Sequence, residues 1–566
     1  MSTDNISTAP TQLGDTPKQS SQPSSPISNI RTVVALSSHS SASRKSGPKH
    51  TVSHDEATLA QCNGNAIGDV APTVLSEHDC PEVLAFAWTE WKKWMTLTIV
   101  FLVQISMNLN ASLYANGQDG IMREFGVSQE AAVSGAAVFL VMYAFGCELW
   151  APWSEEFGRK PVLQSSLFLV NAMCIPVALS KHSGSFPAII VGRAFGGLFS
   201  AGGSVTLGVV ADMFRLPEQE YPLAFIVLSS VGGSIIGPII GGFIQHYLDW
   251  TWTIWIQLIF GGFVQILHLV LVPETRASVL VDRHAKKLRK SKFEETGESI
   301  SVFGPNEMMT WREYLVPKEL WAMWTRPFQM FVKEKIVLVL STLSGFSDAL
   351  IFMQIQSLGR VFELWGFDDI RIGLSFLSIG LGYLFGYLLF IPVIRRNRAL
   401  RVSKPHSEHA QYESRLWWLL YAAPCLPIGL LIFAWTSTPA AHWTGPMFGC
   451  LLVGIANYTI YMTTIDYMVA AYGPYSASAT GGNGFARDFL AGILTWAAAP
   501  YYNAFSFRYG LQVANTVLAG VSLLLVVATF IIYFKGPSMR RRSPFAQSLS
   551  RSITEATEER APTTTT

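Results

Sequence analysis

An all-α polytopic membrane protein is the fold class this sequence predicts, on three observations. Half of the 566 residues are hydrophobic and only 14% are charged, against about 25% in an ordinary soluble domain. The apolar residues gather into twelve runs of about 20 residues, the length that crosses a bilayer as a helix. Those runs fall as six, a hydrophilic gap of about sixty residues, then six more.

The same composition speaks against a soluble enzyme, a nucleic-acid binder and a wholly disordered chain. The 41 Lys+Arg and 39 Asp+Glu nearly cancel to +2, so net charge gives no polyanion signal. Six cysteines make no disulfide framework, and Cys147, Cys174, Cys425 and Cys450 lie inside apolar runs, where packing is their expected role.

Residues 1–90, rich in Ser, Thr, Pro and Gln without apolar periodicity, read as a disordered tail. No apolar segment follows the start as a secretory signal would require. Residues 91–273 hold the first six spans, at 95–116, 132–152, 161–179, 187–211, 222–245 and 251–272. Residues 274–333 form the central loop, where Trp311, Tyr314, Leu315, Leu320, Trp321 and Trp324 interleave with Arg312, Lys318 and Arg326. That mixture suits either an interfacial helix or a solvated linker helix. Residues 334–535 hold spans at 335–362, 372–394, 416–436, 444–468, 476–502 and 511–534, and residues 536–566 read as a second disordered tail.

Charge orients the chain. With the N-terminus inside, the inner loops collect Arg159, Lys160, Arg215, a basic run from Arg276 to Lys292, and Arg395, Arg396, Arg398, Arg401 and Lys404. The outer loops keep scattered cations such as Arg123, Lys181, Arg371 and Arg508. The positive-inside rule then places both termini in the cytoplasm.

Three stretches carry mechanical meaning. The loop after the second span, Trp150 to Pro161, turns at Gly158 and holds Glu155, Arg159 and Lys160. Glu155 can face Arg159 or a neighbouring helix end, giving a charged latch or simply a basic inner loop. Gly192-Arg-Ala-Phe-Gly-Gly197 puts Arg193 inside the fourth span, where a guanidinium needs a partner or a wet cavity. In the fifth span Gly233, Gly237 and Gly241 recur every four residues around Pro238, which removes a backbone donor. The smooth face suits a gate between moving halves or static helix packing.

Polar residues also align. Ser341, Ser344, Asp348 and Gln356 share a face of the seventh span; Gln104, Asn108 and Ser112 do so in the first; Asn457, Tyr461 and Thr464 in the tenth. Three apolar helices with polar stripes imply a common cavity. Its expected walls are Asn108, Tyr114, Phe352, Gln356, Asn457, Tyr461 and Asn483. The deep ionisable groups are Arg193, Asp348, Arg487 and Asp488. His246 and His268 are too isolated to bind metal, and no P-loop supports ATP use, so neither a metal nor a cofactor is expected.

These motifs resemble the major facilitator superfamily, in its fungal twelve-spanner drug:proton antiporter branch. The resemblance rests on Ser154-Glu-Glu-Phe-Gly-Arg-Lys160, with Glu155 at the acidic position, on Arg193-Ala-Phe-Gly-Gly197 and on Gly237-Pro-Ile-Ile-Gly-Gly242. Trp250, Trp252 and Trp255, Pro273-Glu274-Thr275, Glu413-Ser-Arg-Leu416 and Tyr475 to Arg487 extend it over about residues 90–545. Ala151 and Trp153 depart from the usual glycine and smaller apolar residue.

The resemblance implies two six-helix bundles related by pseudo-two-fold symmetry, alternating access and coupling to the proton gradient. Asp348 is the first candidate for proton carrier, a structural ion pair with Arg487 being its alternative. Asp488 projects about 100° from Arg487 on a helix, toward another bundle. The expected activity is non-enzymatic, proton-coupled export of drugs, toxins or secondary metabolites across a fungal plasma membrane by a monomer. Rival cargoes are polyamines, held by Asp348, Asp466 and Glu363, or organic acids, held by Arg193 and Arg487; proton-coupled uptake is the other direction.

Overall fold

The computed structural model of the chain describes residues 73–543, apart from 216–217, 298–299, 308–316, 406, 473–475 and 506–508. The fold is almost entirely helical. Among the described residues, 11 helices are long and apolar enough to cross a membrane. In the first half these are Glu90–Phe125, Gln129–Glu156, Arg159–Ser183, Phe186–Met213, Glu220–Tyr247 and Trp252–Leu271. In the second they are Lys335–Trp365, Asp369–Ser403, Glu413–Thr436, Thr444–Tyr472 and Gly510–Arg540. A further long helix, Ser476–Ala504, carries Asn483, Arg487 and Asp488 and completes the pattern as the eleventh span.

Local chemistry sets several ends. Ser128 caps the second span by accepting a hydrogen bond from Ala131 N at 3.3 Å, and Asp368 caps the eighth from Arg371 N at 3.1 Å. Gly184 ends the third in the left-handed region, φ 63°. Pro238 lies inside the continuous helix Glu220–Tyr247. Outward-facing residues such as Phe263, Ile266 and Val270 of the sixth span, and Leu523, Leu524 and Val527 of the twelfth, are exposed and apolar. Such faces suit lipid, which does not penalise exposed hydrocarbon.

Each half has its own core. Phe139, Leu140, Leu163, Leu167 and Val205 lead one; Leu340, Ile379, Leu426, Val453 and Leu518 lead the other. The halves meet along two seams. The second span packs on the eleventh, where a methyl at Gly492 would lie 3.0 Å from the Ala137 carbonyl. The fifth packs on the eighth, and its Leu223, Val227, Val231 and Ile235 join the core of the second half.

Two sequence boundaries move. The last helix runs to Arg540, which is buried and paired with Glu413, so order extends past residue 536. At the other end Cys80, Leu84 and Ala85 are buried and the first helix starts at Glu90, so the segment before the first span packs from residue 73 on. Residues 1–72 and 544–566, the bulk of the two tails, lie outside the described residues.

Among the described residues, the central segment holds the helices Ala277–Thr296 and Pro317–Lys333. On the second, Trp321 is exposed, while Phe328 packs edge-on to Phe485 of the eleventh span at 4.8 Å. Trp311, Arg312, Tyr314 and Leu315 lie outside the described residues.

Candidate functional site

At the centre of the fold, polar groups that the stripes bring inward meet across the seam between the halves. Arg487 donates from Nε to Asp488 Oδ1 and from Nη2 to Asp488 Oδ2, both at 3.1 Å. Asp348 Oδ2 of the seventh span stands 3.9 Å from the same Nε. The guanidinium covers the Tyr461 ring at 4.6 Å, and Cys147 Sγ of the second span lies 3.9 Å from Asp488 Oδ2. All of these residues are buried. Asp488 is therefore turned back onto its neighbour as well as toward the other half. The Arg487–Asp348 pair exists, but as the longer of two.

A cavity of about 330 Å³ runs from this cluster to the face that carries Gly158. Tyr143, Tyr461 and Arg487 line its inner end, Gln104, Thr206 and Thr480 its walls, and Glu155, Asp212 and Arg276 its mouth. Behind Arg487 a chamber of about 10 Å³ is walled by Asn108, Ser230, Ser234, Asp348, Phe352 and Asp488, room for about one water. Large cavity and small chamber share Tyr143, Ser230 and Arg487.

The expected cavity residues divide accordingly. Tyr461 lines the large cavity, and Asn108 and Phe352 the chamber. Asn457 instead donates to Ser347 Oγ at 3.1 Å inside the second half. Asn483 is fully buried, outside both spaces, and Gln356 lines neither. Tyr114 departs furthest: its hydroxyl donates to Ala132 O at 3.0 Å and its ring lies 4.5 Å from the Arg193 guanidinium.

Arg193 likewise belongs to the interior of the first half. It donates to Asn110 O at 2.7 Å, Asn110 Oδ1 at 3.1 Å and Gly135 O at 3.3 Å, and stacks on Phe139 at 4.1 Å. Carbonyls and aromatic faces surround it, but among the described residues its Nη2 has no hydrogen-bond partner and it forms no ion pair. Helical periodicity told its depth but not its neighbour.

The latch face is built on Glu274 and Asp212. Gly158 has φ +98°, and a methyl there would press to 2.7 Å from Glu274 Oε2, a backbone and a space that favour glycine. Glu274 accepts from the backbone N–H groups of Arg159 and Lys160 at 2.9 and 3.2 Å, and of Thr275 and Arg276 at 2.9 Å. Lys160 Nζ donates to Leu269 O at 2.8 Å. Arg159 pairs with Asp212 at 3.0 Å and donates to Ser154 Oγ at 2.6 Å. Glu155 does not take Arg159: its backbone carbonyl accepts from Arg276 at 3.0 Å, while the residue lines the cavity mouth.

Of the two readings of the fifth span's glycine face, helix packing is the one its contacts match. A methyl at Gly233 would lie 3.0 Å from Ile105 O, one at Gly237 2.8 Å from Leu113 N, and one at Gly241 2.7 Å from Asn116 Cβ. That face packs on the first span, within one half. The approach between halves uses the next residue round: a methyl at Gly242 would lie 2.6 Å from Asp369 O, and one at Gly373 2.9 Å from the Pro238 carbonyl. Near this end Arg360 also crosses to Gln129 Oε1 at 3.2 Å.

Motif reading passes over two acids, Glu220 and Glu148. Glu220 at the head of the fifth span meets Arg398 at 2.7 Å, Arg401 at 2.6 Å and Arg415 at 3.5 Å, tying one half to the other. Arg415 also pairs with Asp466, and Arg540 with Glu413. Glu148 of the second span is buried, its Oε1 lacks a hydrogen-bond partner among the described residues, and a methyl on Gly481 of the eleventh would lie 3.1 Å from its carboxylate. An acid standing in an apolar run was its sequence signal; the missing side chain opposite, which makes room for it, was not visible.

Residues 98–495 match the sequence pattern of the Major Facilitator Superfamily. The transporter paaT of Penicillium rubens is 31% identical over 463 residues, 81% of each chain. The cycloheximide resistance protein of Candida maltosa is 26% identical over 469 residues, 81% of this chain and 82% of that one. Among solved structures, the proton:xylose symporter XylE superposes with a TM-score of 0.56 at 13% identity, over 79% of this chain and 96% of that one.

Proposed function

The chain belongs to the major facilitator superfamily of membrane transporters, and from that premise we propose that it exports small organic molecules in exchange for protons. The carrying observation is the Asp348–Arg487–Asp488 cluster at the inner end of a cavity between the two halves. Few arrangements make a guanidinium choose between two buried carboxylates. With Asp348 ionised, Arg487 is drawn to both acids; with Asp348 protonated, the close pair with Asp488 alone remains. Because Arg487 lies over Tyr461, that choice reshapes the cavity wall. Proton state and cargo binding are thereby linked through one side chain.

The membrane is a fungal plasma membrane in this reading, with both termini cytoplasmic and the cavity open to the cytoplasm; the chain acts as a monomer. Closure on the other side rests on Gly242 against Asp369 and on Arg360 against Gln129. A cargo of drug or secondary-metabolite type fits the mixed wall of Tyr143, Tyr461, Gln104 and Thr206, and one relative carries a name for cycloheximide resistance. Polyamine export loses support because Asp466 is engaged by Arg415 and Glu363 is exposed. Organic-acid export loses support because Arg193 is outside the cavity and Arg487 is already paired. Inside-out vesicles test the reading: cargo uptake should rise when an inward-acid proton gradient is imposed. Equal flux with and without the gradient would remove the proton from the account.

A further inference from the structure

We propose that Cys80, Glu82 and His284 form a binding site for a divalent transition-metal cation of the zinc type, independent of the transport cavity. One donor atom from each of the three side chains lies within 4.8 Å of the others. Cys80 is buried, His284 half-buried and Glu82 exposed, so the site is reached from one side. A sulfur, an imidazole nitrogen and a carboxylate oxygen are the donor set that suits zinc, whereas calcium and magnesium take oxygen alone. Three protein ligands leave a fourth tetrahedral position for water.

Backbone pairing and hydrogen bonds bring the segments that carry these groups together. Thr73–Val74 pair in parallel with Val302–Phe303, fastening the segment before the first span to the central segment. Arg289, on the same helix as His284, donates to Val302 O at 2.6 Å and to both Glu307 oxygens at 2.6 and 2.8 Å. In the turns that follow Thr73–Val74, Asp79 accepts from Ser76 N and Oγ at 2.8 Å, and Val83 N donates to Cys80 O at 3.2 Å. The ligands are therefore preorganised from segments distant in sequence, which is why no spacing motif announced them. This assignment replaces the sequence expectation of no metal. A bound cation would tie the lead into the first span to the helix that begins the link between the halves.

The test uses the full-length protein in detergent, stripped with chelator and dialysed against zinc, with metal content measured per chain and cobalt as a spectroscopic substitute. The expected result is one zinc per chain and a thiolate-to-cobalt charge-transfer band. His284→Ala and Cys80→Ser should each weaken binding by more than about 10-fold, the least that loss even of an outer-shell partner brings. Cys425→Ser, in the ninth span, should retain it. His284 is only half-buried, so its variant reports on the site even if Cys80→Ser fails to fold. No zinc after dialysis, zinc unchanged in His284→Ala, or loss of the band in Cys425→Ser would each overturn the assignment.

Discussion

Replacing each acid of the central cluster by its amide separates two roles that the geometry assigns. Asp488 holds Arg487 through two hydrogen bonds of 3.1 Å, and Asp348 stands 3.9 Å from it. Removing one partner of a buried ion pair typically costs about 3–5 kcal/mol, because a buried charge is left uncompensated. In Asp488→Asn the second acid remains nearby, so the loss should fall at the low end, about 3 kcal/mol. In Asp348→Asn the close pair survives, and the change should be about 1 kcal/mol or less, the net worth of one ordinary hydrogen bond. Transport should divide the other way. Asp348→Asn should bind cargo and exchange it down its own gradient, yet lose acceleration by a proton gradient. Denaturant or thermal unfolding of the purified protein gives the first comparison, and counterflow in proteoliposomes the second. Equal destabilisation by the two variants, or gradient-driven export by Asp348→Asn, would refute this division of labour.

Other perturbations probe other contacts. Gly158→Ala should destabilise by about 1–3 kcal/mol, since a non-glycine residue at φ +98° is strained and its methyl crowds Glu274; thermal unfolding of the purified variant reads it. Glu148→Gln should leave stability unchanged or slightly raised, because the amide is isosteric with a carboxylate that lacks a partner at Oε1; a loss above about 2 kcal/mol would show a partner that was missed. Glu220→Gln should weaken the tie to Arg398, Arg401 and Arg415, and cysteine crosslinks between the fifth and eighth spans should form more slowly if it does. In the central segment, the Arg289 guanidinium holds the Glu307 carboxyl below its ordinary value. That contact stabilises above the unfolded value of about 4.3 and is lost as pH falls through the lower folded one. Cleavage of the segment by an acid-active protease should therefore accelerate below about pH 4, and Glu307→Gln should already be cleaved faster at neutral pH.

Sequence legibility followed the range of the forces. Twelve apolar runs and their division into six and six needed only composition and length, and eleven of those helices satisfy the same criterion in the fold, with Ser476–Ala504 beside them. Arg193, Asp348, Arg487 and Asp488 were legible as deep charges in apolar helices, and three of them, Asp348, Arg487 and Asp488, stand together in the structure while Arg193 stands apart. Which neighbour each side chain takes was not. Periodicity aligned Gly233, Gly237 and Gly241 on one face, but whether that face meets the first span or the other half depends on packing between distant segments. Arg193 and Tyr114 found each other within one half for the same reason. Asp488 turning back on Arg487 is a rotamer choice, invisible to a helical wheel. The latch misled differently: Glu155 had the expected charge, but the backbone N–H groups it might have faced are filled by Glu274, more than a hundred residues away.

Cargo counterflow in inside-out vesicles, with a proton gradient imposed or collapsed, tests the central claim most directly. For the unaltered chain the account predicts gradient-stimulated accumulation, and for Asp348→Asn the same passive exchange without stimulation. Stimulation that survives in Asp348→Asn, or is absent from the unaltered chain, would contradict it.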